Sequence, residues 1–467
     1  MTGTMAHTSG MTWLGIFRMG LVQTALGAIV VLTTSTMNRV MVIELALPAM
    51  LPGALVAYHY ALQFLRPRWG YGSDGGRRRT PWIIGGMAAL ALGGIGSAIA
   101  TAVMATHLLA GIGLAIIAFT LIGAGVGAAG TSLLAMLATH VQFNRRGAAA
   151  TIVWMMMIAG FVITTLTAGH FLDPFSVWRL VAVTSAVSVI AFVLTLLAVW
   201  GLEQDSMRAA PSAEAAAEKP PFWQALGEVW ADRQARRFTI FVFVSMLAYS
   251  MQDLILEPFA GLVFGLTPGE TTKLSGVQNG GVFCGMLLVA LAGGAGLGIG
   301  SLRAWTVAGC LASAFALVGL IAAGAAGPPW PLQPTVFALG MANGAFAVSA
   351  IGSMMGLAAK GTASREGVRM GMWGAAQAIA FGMGGLAGAV LSDAFRLLGA
   401  GTVSAYTTVF AGEAVLFVIA AWLALSAIGN EDQKRSATSD DDAFAAHVPA
   451  GGYPRAGASV PGAVAHG

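Results

Sequence analysis

Residues 179–201 read RLVAVTSAVSVIAFVLTLLAVWG, and this stretch decides what kind of fold the chain can adopt. After Arg179 it contains no charged side chain. A helix of about 22 residues is about 33 Å long, which is enough to cross the roughly 30 Å hydrocarbon core of a bilayer. A surface helix of a soluble protein would carry charged residues along one face. The stretch therefore predicts a transmembrane helix.

The same character extends over most of the 467 residues. Hydrophobic residues make up 57% of the chain and charged residues 9%, whereas soluble proteins carry about 25% charged residues. This composition excludes a soluble enzyme and makes the lipid bilayer the main partner. The net charge of +4 is scattered along the chain, so we expect no nucleic-acid partner. The two cysteines, Cys284 and Cys310, are too few for a disulfide framework or a zinc site, and we expect no bound metal.

Eleven further apolar segments of similar length predict an all-α, polytopic membrane protein with 12 transmembrane helices in a 6+6 arrangement. The predicted spans are 13–37, 46–65, 81–104, 108–138, 148–169, 179–201, 238–260, 274–293, 303–325, 334–357, 367–391 and 403–427. We therefore divide the chain into an N-terminal half (1–201), a linker (202–237), a C-terminal half (238–428) and a tail (429–467). Two six-helix halves joined by a polar linker resemble the arrangement of major facilitator transporters.

The linker predicts one further helix. Apolar side chains recur at helical spacing among charged ones in its second part, at Phe222, Trp223, Leu226, Val229 and Trp230. This pattern is typical of an amphipathic helix on a membrane surface. The polar tail, with Asp440–Asp442 and many Gly and Pro residues, is predicted to be disordered.

The distribution of basic residues predicts the orientation. Of the 24 Lys and Arg residues, only Arg39, Arg179, Lys273 and Arg396 fall in segments on the side opposite the termini. Because cytoplasmic loops are enriched in Lys and Arg, both termini are expected to be cytoplasmic, in a bacterial inner membrane.

The loop between the second and third spans carries a candidate signature. It reads GYGSDGGRRRTP over residues 70–81 and resembles the major facilitator loop signature at Gly70, Asp74, Arg78 and Arg79. It departs from that signature at Gly75 and Arg77. The alternative interpretation is a basic loop that only fixes orientation.

Ionisable residues at membrane depth are costly and usually face the protein interior. Tyr249, Asp253 and Glu257 follow each other at intervals of four, so they share one face of the seventh span. Pro258 has no N–H group and is expected to leave the carbonyl of Leu254 without its helical donor.

The first span is expected to end at Asn38 and Arg39, at a depth in the membrane similar to that of Glu257 and Pro258. Arg39 is expected to pair with Asp253 or Glu257, and Glu44 and Glu413 complete the candidate charge set. Two interpretations stay open: a structural charge network between the two halves, and a proton or ligand site.

Three stretches resemble signatures of the PucC/LhaA family of major facilitator-type photosynthetic assembly proteins. They are TMNRVMVIEL (36–45), RRTPWI (78–83) and QDLILEPFAG (252–261), and the resemblance extends to about residue 428. Members assist the assembly of bacterial light-harvesting complexes, and the member labelled a bacteriochlorophyll synthase chain is the most similar. The resemblance implies a role in binding or delivering bacteriochlorophyll in the photosynthetic membrane, with antenna polypeptides and the pigment synthase as partners.

His59 is the candidate pigment-binding residue, because a neutral imidazole is a good magnesium ligand in chlorin pigments. The alternative is a hydrogen-bonded structural histidine. A proton-coupled secondary transporter of a small or amphipathic substrate is the second hypothesis for the whole chain. We expect no catalysis, because the sequence contains no paired catalytic acids, nucleophile elbow or phosphate loop, and its one Asp cluster lies in the tail.

Overall fold

The structure of the protein is a computed structural model, which describes residues 11–63, 79–142, 145–202, 222–294, 299–359 and 366–428. All regular secondary structure in these ranges is helical. The N-terminal half contains α1 (Trp13–Glu44), α2 (Met50–Leu62), α3 (Thr80–Met104), α4 (Leu108–His140), α5 (Arg146–Leu172) and α6 (Val177–Val199). The hydroxyl groups of Thr12 and Ser176 cap the N-termini of α1 and α6 by accepting from backbone N–H groups.

A short helix in the linker, α7 (Phe222–Ala231), precedes the C-terminal half. The helices of that half are α8 (Arg233–Phe264), α9 (Pro268–Gly294), α10 (Leu302–Ala326), α11 (Leu332–Ala359), α12 (Glu366–Leu397) and α13 (Thr402–Ala427). Asp232 caps α8 by accepting from the N–H groups of Gln234 and Ala235. Gly265, with φ of 70°, ends α8 in the left-handed conformation that glycine adopts without strain.

The fold class and the helical positions predicted from the sequence are confirmed. Within the described residues, 11 helices are long and apolar enough to cross a membrane. The twelfth, α2, lies at the predicted second span and has 13 residues, and residues 64–78 after it lie outside the described ranges. The helix predicted in the linker is α7, while its position on a membrane surface stays a prediction. Residues 203–221 and 429–467 lie outside the described ranges.

Short connections make consecutive helices antiparallel, so the bundle has two ends. We call the end at which α1 begins and α13 ends the terminal end. The opposite end, which we call the distal end, carries the connections 45–49, 105–107, 173–176, 265–267, 327–331 and 398–401.

The first helix is longer than predicted. The prediction that it ends at Asn38 and Arg39 is wrong, because it continues to Glu44 through two π-helical segments, Leu32–Thr36 and Val40–Glu44. A run of β-branched and long apolar residues after Arg39 keeps this part buried and helical. Local π turns inside α-helices are often found at functional sites.

Helices α9 and α11 approach each other closely at four glycines. Gly281 and Gly285 on α9 face Gly340 and Gly344 on α11, and both pairs are four residues apart. A Cβ atom at Gly281 would lie 2.3 Å from the carbonyl oxygen of Phe337, and at the other three it would lie 2.0 Å from a facing backbone oxygen. Small residues at this spacing let membrane helices pack backbone to backbone.

Two exposed tryptophans lie at the two ends of α6. Trp178 and Trp200 are 76% and 79% exposed and lie at opposite ends of the helix. They are separated by about 22 residues, or about 33 Å along a helix. Because tryptophan is enriched at both membrane interfaces, this spacing agrees with a helix that crosses a single bilayer.

Candidate functional site

The candidate site lies where two interrupted helices meet, one from each half of the molecule. In α8, a 3-10 turn at Gln252–Leu254 separates the α-helical segments Arg233–Met251 and Leu256–Phe264. In α1, the two π segments flank Asn38 and Arg39. Irregular backbone at membrane depth needs polar partners from the protein.

Asn38 provides the partner that α8 lacks. Its Nδ2 donates to the carbonyl oxygen of Leu254 at 2.7 Å, and both groups are buried. This is the carbonyl that Pro258, four residues later, cannot serve because proline has no N–H group. The side chain of one half therefore completes the backbone hydrogen bonding of the other.

Replacing Asn38 with leucine is expected to lower the free energy of unfolding by about 2 kcal/mol, because it leaves the buried Leu254 carbonyl without a donor. Thr195→Val is the matched control, since the Thr195 hydroxyl is also buried but donates to a carbonyl of its own helix, Ala191. Unfolding in mixed detergent measures both. Equal losses for the two variants would contradict this role of Asn38.

Glu257 lies next to this junction and is 1% exposed. Its Oε1 accepts hydrogen bonds from the hydroxyl groups of Ser35 on α1 and Ser275 on α9, and these two hydroxyl oxygens are 3.0 Å apart. One turn away, the hydroxyl oxygens of Thr36 and Thr272 are 3.1 Å apart. The carboxyl group of Glu257 therefore joins α1, α8 and α9.

Arg39 forms an ion pair that the sequence did not predict. The expected contact with Asp253 or Glu257 is not the one observed. Nη1 of Arg39, a residue only 2% exposed, lies 2.5 Å from Oε1 of Glu44, and Nη2 donates to the carbonyl oxygen of Leu266 at 2.8 Å. The π turn that follows Arg39 places the residue five positions later on the same face, so the guanidinium finds a carboxylate within its own helix.

Two aspartates that were not singled out from the sequence also join the halves. Asp173, in the α5–α6 connection, accepts from the Thr267 hydroxyl at 3.1 Å and from the Gly269 N–H at 3.3 Å. Asp393 on α12 accepts from the N–H of Met50 at 2.8 Å. Their positions at helix ends, where α2 and α9 begin with unsatisfied N–H groups, were the signal available in the sequence.

The contacts that cross between the halves near the distal end, together with the bond from Ser275 to Glu257 within the C-terminal half, form what we call the distal clamp. Its side chains are those of Ser35, Thr36, Asn38, Arg39, Asp173, Glu257, Thr267, Thr272, Ser275 and Asp393. The clamp fixes the two halves against each other at this end of the bundle.

The other two acids of the candidate charge set lie away from Arg39. Glu413 on α13 is fully buried, and neither of its carboxyl oxygens has a hydrogen-bond partner in the described part of the chain. Asp253 is close enough for the two carboxyl groups to repel each other. In the described residues the five candidates therefore do not form one network, and a coupling role for any of them stays a prediction.

His59 is buried inside the N-terminal half, with 1% exposure. Its Nδ1 lies 2.8 Å from the carbonyl oxygen of Val56, so Nδ1 carries the proton and Nε2 carries the lone pair. Nε2 lies 3.4 Å from Nε2 of Gln63, a donor, and the ring packs against Tyr60 with centroids 4.2 Å apart. A pigment could bind His59 only if Gln63 moved away.

The loop signature falls largely outside the described ranges, which include Arg79 but not Gly70, Asp74 or Arg78. Arg79 lies at the N-terminal boundary of α3, and its carbonyl oxygen accepts from the N–H groups of Trp82 and Ile83. Its function as part of a signature stays a prediction.

Comparison with known proteins shows the family to which the chain belongs. Residues 36–431 match the family described as PUCC protein, and the match begins at Thr36, in the distal clamp. The chain belongs to the PucC family. The resemblance inferred from residues 36–45, 78–83 and 252–261 is thereby confirmed.

Relatives in the PucC family carry two kinds of name. The chain is 54% identical over 427 residues to the "Bacteriochlorophyll synthase 44.5 kDa chain" of Rhodobacter capsulatus, covering 91% of this chain and 98% of that one. It is 30% identical to "Protein PucC" of the same organism over 428 residues, covering 87% and 90% of the two chains.

Solved structures show that this PucC family member has a transporter-type fold. A bacterial homologue of the lysosomal transporter Spinster superimposes with a TM-score of 0.62 at 17% identity, covering 91% of this chain and 98% of that one. A D-xylose-proton symporter superimposes with a TM-score of 0.63 at 16% identity, covering 89% and 98%. The predicted major facilitator-like arrangement is confirmed, and the chain is a multi-pass membrane protein.

Proposed function

We propose that the protein is a membrane assembly factor for bacterial light-harvesting complexes, which binds bacteriochlorophyll and delivers it to antenna polypeptides. The observation that carries this proposal is membership of the PucC family over 36–431, together with the high identity to a relative whose name refers to bacteriochlorophyll. The bacterial inner, photosynthetic membrane is the proposed location, with both termini in the cytoplasm and the pigment synthase as a second partner.

The arrangement of the halves supports a binding role. The distal clamp holds the halves together at one end, and aromatic side chains of both halves meet deeper in the bundle: Tyr60 with Phe381, and Phe381 with Tyr249, at centroid distances of 5.8 Å. Ligand sites are usually concave and mostly apolar, with a few polar groups that fix orientation. A large flat macrocycle suits such walls.

A synthase activity of the chain itself is not part of the proposal, although a relative carries that name. An enzyme that transfers a diphosphate-activated group needs several carboxylates to hold Mg²⁺. In the ranges that the structure describes, no three His, Cys, Asp or Glu side chains come together in this way. We therefore propose that the protein handles pigment made by another enzyme.

A proton-coupled secondary transporter is the second candidate. Glu413 supports it, because a fully buried carboxyl group whose oxygens have no partner among the described residues is costly unless it serves a function. Asp253, an exposed acid near it, could exchange protons with the space between the halves.

Purification from a phototrophic membrane in mild detergent tests the first candidate. We expect a near-infrared pigment band that co-elutes with the protein, and a lower antenna level in a deletion strain. No band together with unchanged antenna levels would overturn the proposal. Substrate uptake that is abolished by Asp253→Asn would favour the transporter instead.

A further inference from the structure

Asp253 stands out in α8 because it is exposed where its neighbours are not. All other residues from Ser250 to Ala260 are buried, with Gln252 at 0% and Leu254 at 1% exposure. Asp253 lies about 22 Å along α8 from Phe238, where the predicted span begins, and about 16 Å before the end of α8 at Phe264. It is therefore deep in the span. An exposed acid at this depth is expected to have a function.

The turns of α8 on either side of Asp253 are connected to the N-terminal half. Glu257, one turn further along the same face, accepts from Ser35 of the N-terminal half. Tyr249, one turn earlier on that face, contacts Phe381, which stacks on Tyr60 of the N-terminal half. Because Glu257 reaches the other half directly and Tyr249 reaches it through Phe381, we expect the accessible surface of Asp253 to open between the halves.

An aromatic wall lies one turn from Asp253 on the terminal side. Tyr60, Phe381 and Tyr249 are half-buried, so part of each residue remains accessible. Phe346 continues the wall behind Tyr249, at a centroid distance of 6.4 Å. The wall includes residues of both halves, and its rings offer the faces and edges on which a flat macrocycle packs.

The chemistry of the site limits what can bind there. Asp253 makes no hydrogen bond or ion pair with any residue of the described ranges, and no group of three ligand side chains could hold a bare metal ion there. A magnesium ion already held by four ring nitrogens needs only one further ligand. Mg²⁺ prefers oxygen donors, and carboxylate is the strongest of them.

His59 is less suited to this task. Its Nε2 faces the amide of Gln63 inside the N-terminal half, and the side chain is almost completely buried. Asp253, in contrast, is exposed and lies one turn along α8 from Tyr249 of the aromatic wall.

We propose that Asp253 is the axial ligand of a magnesium tetrapyrrole that packs against Tyr60, Tyr249 and Phe381. This rests on the proposed function and names the side chain that binds its pigment. A carboxylate oxygen of Asp253 replaces the water on the magnesium ion, and no other bond of the pigment changes.

Titration of the purified full-length protein in detergent with bacteriochlorophyll a, and separately with its magnesium-free form, tests the assignment. The readouts are the dissociation constant and the visible absorption band that reports axial coordination. We expect the magnesium-free pigment to bind at least about tenfold more weakly than bacteriochlorophyll, a loss of about 1.4 kcal/mol. This comparison uses the natural protein and does not depend on a variant that folds.

Variants sharpen the test. Asp253→Leu is expected to weaken bacteriochlorophyll binding by about tenfold or more and to lose the coordination signal, while Asp253→His is expected to restore both. Glu270→Gln, a change to another exposed acid, on α9 outside the wall, is the control and should leave both readouts as they were.

Two results would overturn the proposal in different ways. If the natural protein binds both pigments equally, or if a monodisperse Asp253→Leu variant keeps the coordination signal, Asp253 is not the ligand although pigment binding stands. If His59→Leu alone loses the signal, His59 is the ligand. If the natural protein binds neither pigment, the proposed function itself fails.

Discussion

Alanine in place of Gly281 is expected to prevent the C-terminal half from packing, and to lower the free energy of unfolding by about 3 kcal/mol or more. The new Cβ atom would lie 2.3 Å from the carbonyl oxygen of Phe337, so α9 and α11 would have to separate along the whole glycine contact. Backbone atoms cannot rotate away as a flexible side chain can. Detergent-resistant folded protein, measured by size-exclusion chromatography after heating, reports the loss.

The neighbouring residue gives an unusually close control. Gly280 lies on the same helix, and a Cβ atom there would meet nothing within 4 Å. Gly280→Ala is expected to be neutral, or stabilising by up to about 1 kcal/mol because alanine is the better helix former. If both variants lost the same amount of folded protein, the effect would come from glycine in membrane helices generally and not from the contact with α11.

The second large effect is expected at Glu44. Replacing it with leucine leaves the guanidinium group of Arg39 buried without its carboxylate, and the expected loss is about 2–3 kcal/mol. This is less than the cost of breaking a fully buried pair, because the Glu44 side chain is 33% exposed and water reaches part of the contact. The free energy of unfolding in mixed detergent is the measurement.

The double variant Arg39→Met/Glu44→Leu separates charge from packing. It removes the unpaired charge, so it is expected to be more stable than Glu44→Leu alone, although it also loses the bond from Arg39 to the Leu266 carbonyl. If the double variant were the less stable of the two, the isolated charge would not be the cause of the loss, and the ion pair would matter less than this bond.

Much of the fold could be predicted because lipid imposes a simple rule. A bilayer needs about 20 apolar residues per helix, and the sequence shows that signal twelve times. The same reasoning predicted that Pro258 would free the carbonyl of Leu254, since this follows from the missing N–H group alone. The donor, Asn38, lies about 216 positions earlier in the chain, and no local pattern connects the two.

The contacts of the site could be predicted less well, because they depend on helical phase. Arg39 was expected to reach across to α8 as the last residue of a helix, and a π turn instead brought Glu44 beneath it. Periodicity arguments assume 3.6 residues per turn and fail where that number changes. Asp173 and Asp393 were passed over because each looks like an ordinary polar residue at a helix end until the facing backbone is known.

The distance of about 33 Å along α6 between Trp178 and Trp200 also bears on which membrane regions suit the protein. Helices α1 and α8 contain 32 residues each and are about 48 Å long, so they would need a tilt of about 46° to fit between the same boundaries, beyond the 0–40° of most membrane helices. Helices α1 and α8 therefore extend beyond the hydrocarbon core of the bilayer, whereas the length of α6 matches its thickness. A thinner bilayer would expose the ends of α6 at a cost of a fraction of a kcal/mol per Å of hydrophobic mismatch. Bilayer thickness alone thus biases which membrane regions the protein occupies, before it meets any partner.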